Sequence, residues 1–257
     1  MSTGFEVFAV PGMPLVRPGD DLAALLLDAL GESGRALEEG DCVCLAQKIV
    51  SKAEGRQVSL ASVTPSAEAV ALAAETDKDP RLVELILSES TELLRKKPGV
   101  LIMRHRLGLV GAHAGIDQSN IEHGDGEEAL LLPLDPDASA ARFRAEIRDR
   151  LGIDVGVIIS DSANRPWRLG TVGIAIGAAG LSVLDDHRGG RDMYGRELKV
   201  TLINRADAIA SAAVLVMGET TERMPAAIVR GLSLVVGDNG GQSAAETIRP
   251  LEEDLFR

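Results

Sequence analysis

Ser160-Asp161-Ser162 follows a β-branched run, Val155-Gly156-Val157-Ile158-Ile159, and precedes Arg165 and Arg168. Asp161 and Ser162 offer adjacent oxygens to a hard divalent cation, and the two arginines offer guanidinium groups to phosphate or carboxylate. This spacing predicts a metal and an anion held together at the end of a buried strand. The plainer alternative is a helix N-cap or a turn, in which Asp161 and Ser162 accept from free backbone N–H groups. A second polar cluster, residues 113–120, supplies Asp117, a metal ligand or an Asx-turn former, and Asn120, which can donate to and accept from a nucleobase or ribose. Lys48 and Lys52 share a face whether their segment is helix or strand. They can converge on phosphate or line a solvated basic edge. Glu219, beside Gly218, is a further acidic ligand candidate.

Elements must carry these groups. Residues 5–10, 42–46, 100–103, 130–134, 198–203 and 226–231 read as strands, with 107–110 a hairpin partner of 100–103 across an Arg104-His105-Arg106 tip, where His105 either faces a ligand or is solvated, as such basic tips usually are. Helical periodicity covers residues 22–30, capped by Asp20 and Asp21, and residues 65–74, 80–96, 138–151 and 207–216. Pro98-Gly99 is the expected end of the 80–96 helix. Pro11-Gly12-Met13-Pro14 is a loop where backbone could approach a ligand closely. The glycine-rich run at 170–180 has neither the Rossmann fingerprint nor the P-loop spacing, so it predicts close backbone packing. Strands and helices alternate irregularly, which favours α+β over regular βαβ winding.

A chain of 257 residues is long enough for one large domain or two intimately joined lobes. Its formal charge of −12 opposes nonspecific binding to a polyanion, and with aromatics at 2% no stacking platform for single strands is evident, so nucleic acid is not an expected partner. The N-terminus lacks a signal-peptide pattern and no apolar run reaches membrane-spanning length, so a soluble cytoplasmic protein is the simplest reading. Cys42 and Cys44 fall on one face of a strand and read as buried, reduced thiols, since their spacing fits neither a zinc framework nor a disulfide scaffold.

Several separated motifs carry a resemblance. Gln47-Lys48-x-x-Ser51-Lys52-x-Glu54-Gly55, Ala114-Gly115-Ile116-Asp117-x-Ser119-Asn120, Leu132-Pro133-x-Asp135-Pro136-Asp137, Ser160-Asp161-Ser162, Asp192-x-Tyr194-Gly195-x-Glu197-Leu198 and Met217-Gly218-Glu219 occur in this order. Together they resemble the coenzyme F420-0:γ-glutamyl ligases, from Gly12 to the acidic tail. The resemblance implies an α+β fold with mixed, largely antiparallel sheets and an intertwined homodimer. It further implies GTP-dependent joining of L-glutamate to F420-0 with later γ-linked extension, assisted by two Mg or Mn ions. Asp117, Asp161, Ser162 and Glu219 would then be metal ligands. Nucleotide contacts would fall on Pro11, Gly12, Met13, Pro14, Gln47, Lys48, Lys52, Asn120, Met217, Gly218, Glu219, Thr220, Thr221, Glu222, Arg223 and Met224. Lys48, Lys52, Arg165 or Arg168 would stabilise developing phosphate charge. Ser162 stands where the family usually has Thr, and Asn164 where it usually has Gly, a turn position that Asn tolerates. Some relatives carry a further C-terminal nitroreductase-like domain, which a chain ending at Arg257 is expected to lack. Two other readings keep the same residues: a GTP- and metal-dependent ligase or phosphotransferase acting on another acid, and a nucleotide sensor without turnover.

Overall fold

The computed structural model describes residues 4–124, 126–164, 167–233 and 241–255. Its fold is α+β. The larger sheet contains β1 (Glu6–Ala9), β2 (Cys42–Ala46), β8 (Gly156–Asn164), β9 (Thr171–Ala179) and β12 (Ala226–Arg230), in the order β1-β12-β2-β8-β9. Only β2 and β8 pair in parallel; the other neighbours in this sheet are antiparallel. Alternation along the strands divides two cores. Val43, Leu45, Val157, Ile159 and Ile228 face α1 (Leu22–Glu32), α2 (Gln47–Ala53) and α5 (Pro136–Leu151), while Cys42, Cys44, Ile158, Ala227 and Val229 face α6 (Arg205–Met217). Each fully buried Leu, Ile or Val contributes on the order of 1.5–3 kcal/mol.

A smaller lobe is inserted between α2 and α5. It holds α3 (Ala67–Thr76), α4 (Pro80–Ser88), the two-stranded β3 (Gln57–Ser59) and β7 (Glu128–Leu130), and the β4 (Ser90–Lys97), β5 (Val100–His105), β6 (Val110–Ala112) sheet around its own core. A short ribbon, β10 (Leu184–Asp186) with β11 (Leu202–Asn204), precedes α6.

Helix starts follow the expected chemistry. Asp21, Ser66, Asp79, Asp135 and Asn204 each accept a backbone N–H of the first turn they cap. Four element boundaries depart from expectation. The 80–96 helix stops at Ser88, and residues 90–97 form β4 because pairing with β5 across the Pro98-Gly99 turn outweighs local propensity. The hairpin partner begins at Val110, so residues 107–109 belong to the turn, and the 130–134 strand shrinks to β7 with residues 131–134 continuing irregularly. The 198–203 strand shrinks to β11. His105 is also corrected, being buried rather than solvated.

The small-residue run does what close packing predicts. An added Cβ at Gly177 would lie 2.5 Å from the Pro136 carbonyl, and one at Gly173 the same distance from the Ala210 oxygen. Helices α5 and α6 therefore lie directly on the β9 backbone from opposite faces. Gly177→Val is expected to lower stability by about 2 kcal/mol or more, measured by denaturant melting, because Pro136 is backbone and cannot swing aside. Gly111→Ala, where nothing lies within 4 Å, is the control and should change little.

Candidate functional site

Strands β1, β2 and β8 run in one direction, so their C-terminal ends share an edge at which β12 and β9 begin. That edge gathers residues 11–14 after β1, α2 directly after β2, and the 218–225 loop before β12. Backbone bonds from Val10 N to Ala226 O (2.9 Å) and from Ala46 N to Pro225 O (2.8 Å) tie these segments together. Ser160 is the last β8 residue paired with β2, and residues 161–164 pair only with β9. A register shift between Ile159 and Ser160 re-aims the outer half of the strand. Asp161 opposes Ile174 and faces the smaller lobe; Ser162 opposes Gly173 and faces α6.

The capping reading of Asp161 and Ser162 is thereby overturned, since both lie within a strand. Asn164 likewise pairs with Thr171 instead of forming a turn.

Because α2 is helical, Lys48 and Lys52 point to one side. Lys48 forms an ion pair with Asp117, which comes from the smaller lobe through a bridge with Leu130. Asp117 also accepts from Ser119 N at 2.7 Å, so it is both an Asx-turn former and a charged partner. Burial would raise its pKa, but the Lys48 ammonium and the Ser119 N–H outweigh burial and hold it below the usual range. Lys52 Nζ donates to Asn120 O at 2.7 Å, and Asn120 Nδ2 donates to Thr220 O at 3.1 Å. Asn120 thus spans from α2 to the 218–225 loop. Burial and the nearby Lys48 charge lower the Lys52 pKa.

In that loop Glu222 accepts from Thr220 N at 2.8 Å and from Thr220 Oγ1 at 3.0 Å. Gly218 sits at φ 76°, and a Cβ there would strike the Glu222 carboxyl, so the turn requires glycine. Glu219 accepts a hydrogen bond from Ser162 Oγ. Asp161 is pushed up to about 6, first by burial and then by the charges of Asp117 and Glu219, with Lys48 opposing them. Three carboxylates consequently share one electrostatic neighbourhood. Their oxygens and the Ser162 hydroxyl suit a hard divalent cation. Among the described residues, no three His, Cys, Asp or Glu side chains already stand together as a complete metal-ligand group.

Residues 12–231 match the model of the F420-0:Gamma-glutamyl ligase family. The chain belongs to that family. It is 46% identical over 255 residues to the Coenzyme F420:L-glutamate ligase of Methanothermobacter thermautotrophicus, an alignment covering 99% of each chain. The similarly named protein of Methanopyrus kandleri is 46% identical over 258 residues, again with 99% of each chain covered. That of Archaeoglobus fulgidus is 43% identical over 252 residues, covering 98% of this chain and 96% of the relative.

Within this F420-0:gamma-glutamyl ligase chain, Lys48, Lys52, Asp117, Asn120, Asp161, Ser162, Glu219, Thr220 and Glu222 form one linked group by contact or charge. Pro11, Gly12 and Pro14 lie at the same sheet edge with exposed surface, as do Thr221, Arg223 and Met224 in the neighbouring loop. Gln47, Met13 and Met217 are buried. Arg168 is exposed in the loop between β8 and β9, and among the described residues no hydrogen bond or ion pair joins it to the group; Arg165 lies outside the described residues. Sequence reasoning missed Arg104, placing it at a solvated tip.

Proposed function

We propose that this chain joins the amine of L-glutamate to the terminal carboxylate of coenzyme F420-0 and extends the product through γ-linked glutamates, converting GTP to GDP and phosphate. The names of its full-length relatives, Coenzyme F420:L-glutamate ligases, support the substrates. The observation that carries the reading is the meeting of Lys48, Asp117, Asp161 and Glu219 from separate segments around one sheet edge. A carboxylate resists amines because oxide is a very poor leaving group. Transfer of the γ-phosphoryl to that carboxylate gives an acyl phosphate, from which the glutamate amine displaces phosphate.

Asp117, Asp161, Glu219 and the Ser162 hydroxyl would hold Mg2+ or Mn2+, which supplies positive charge for phosphoryl transfer. Lys48 and Lys52 bring two further cations to the phosphate side. Asn120 is suited to a nucleobase or ribose, because its amide both donates and accepts. Lys48→Met is expected to reduce turnover by about 10²-fold or more in steady-state assays while the protein stays folded; retention of full turnover would remove Lys48 from the mechanism.

The reading includes a homodimer. Trp167, Leu169, Met193, Tyr194, Val200 and Leu215 are large apolar residues exposed on the single chain, as a partner-covered surface would be. Sedimentation should give twice the monomer mass. The activity itself is tested by mass spectrometry after incubation with F420-0, L-glutamate, GTP and Mn2+, beside a reaction without glutamate. A glutamyl mass increment with matching GDP release is expected; folded, GTP-binding protein that gives no increment would overturn the substrate assignment.

A further inference from the structure

A cavity of about 220 Å³ lies along the outer edge of β9. Arg104 and Leu109 line it from the smaller lobe, Ile174 from β9, Asp207 from the start of α6, and Ile248 and Arg249 from the C-terminal segment. Ile248 closes against the β5–β6 turn, where an added Cβ at Gly108 would sit 3.1 Å from its Cδ1.

Arg104 is the unusual wall. Its side chain is only 11% exposed, and its Nε donates to Glu92 at 3.1 Å. Its Nη2 is the one buried side-chain nitrogen or oxygen among the described residues without a hydrogen-bond partner. A buried guanidinium N–H left unpaired is costly, and such groups need an explanation such as a ligand acceptor. Asp207 does not supply it: its oxygens accept from Ala175 N at 2.8 Å and Asn204 Nδ2 at 2.7 Å. Arg249 brings a second guanidinium to the same cavity. Ile174, in the cavity wall, is the direct cross-strand partner of Asp161 and shares its face. A molecule seated there is therefore about two strand spacings, roughly 10 Å, from the strand that carries Asp161.

We propose that this cavity holds the incoming amino acid, with Arg249 and Arg104, after a side-chain rotation that brings its unpaired Nη2 to the cavity surface, binding a carboxylate of L-glutamate. A planar guanidinium edge matches a carboxylate, and Leu109 with Ile174 offers apolar surface to its methylenes. The identity of the ligand as glutamate rests on the ligase reading.

The test compares wild type, Arg104→Met, Arg104→Lys and Arg249→Ala as full-length protein. Calorimetry with L-glutamate in the presence of GDP and Mg2+ is paired with steady-state KM values for glutamate and GTP. Arg104→Met is expected to raise the glutamate Kd and KM at least about tenfold, leave the GTP KM unchanged, and not lower the melting temperature, since Met removes an unsatisfied donor. Arg104→Lys should recover part of the affinity, and exposed Arg249→Ala should weaken glutamate without unfolding. Ligation by wild type with unaltered glutamate constants in both Arg104→Met and Arg249→Ala would overturn the cavity assignment and leave the ligase reading standing. Glutamate binding that depends on both arginines, in a protein that does not ligate F420-0, would support the cavity and defeat the ligase reading. Wild type that neither binds nor uses glutamate would overturn both.

Discussion

Asp161→Asn is expected to reduce glutamate-dependent GTP turnover on F420-0 by about 10³-fold or more, equivalent to roughly 4 kcal/mol of barrier, while the protein remains folded. Asp161 caps no helix. It is a strand residue in register with Ile174, and its backbone pairing is independent of its side-chain charge. Its pKa, raised to about 6 by burial and neighbouring carboxylates, means that the charged side chain opposes folding of the metal-free protein. A raised carboxyl pKa gives the folded state extra protons, so that contribution becomes less favourable as pH rises through about 4 to 6. At pH 7 the neutral amide should leave the melting temperature unchanged or higher. Activity and melting measured on the same preparation decide the matter: a sharp fall in melting temperature with turnover retained would make Asp161 structural.

Glu89→Gln is expected to act in the opposite sense, costing stability while leaving the sheet edge untouched. The Glu89 carboxylate accepts from Arg56 Nη2 at 3.0 Å and from His105 and Arg106 at 3.3 Å each. His105 Nδ1 accepts from Leu107 N at 3.0 Å, which leaves its Nε2–H for Glu89. Burial alone would raise Glu89, but the His105 hydrogen bond and the Arg56 and Arg106 charges outweigh it and bring the pKa down to about 2. A depressed carboxyl pKa stabilises the folded state fully above the unfolded value near 4.5, and that contribution is lost as pH falls towards about 2. Glu89→Gln should therefore cost about 3 kcal/mol at pH 7, or roughly 6–12 °C in melting temperature. The gap between wild type and variant should narrow as the pH is lowered from 5 to 2. A gap independent of pH would assign the loss to packing instead.

The site was more legible in the sequence than the lobe that completes it. Asp161, Ser162 and Glu219 each stand beside a strong strand or helix signal, and their oxygen chemistry is local. Helix starts at Asp21 and Asp135 were legible for the same reason, because a capping carboxylate acts within one turn. The fate of residues 90–97 was not. Their apolar spacing continues the α4 pattern, and only pairing with β5 makes them a strand. Arg104 and His105 were misread for a related reason. Their burial arises from long-range partners, Glu92 across the hairpin and Glu89 at the end of α4, which spacing along the chain does not reveal.

Cys42 and Cys44 lie fully within the core between the larger sheet and α6, with no disulfide. Cys44 is held well above the ordinary thiol range by its hydrogen bond to Cys42 and by burial, so it is neither ionised nor reachable in the closed fold. An added thiol reagent can meet these sulfurs only after α6 lifts from the sheet or β2 separates from its neighbours. The chain thus carries a native clock for opening of the layer between its central sheet and α6: the rate of alkylation reports how often the scaffold beneath the candidate site comes apart, and a ligand that fastens that scaffold will slow it.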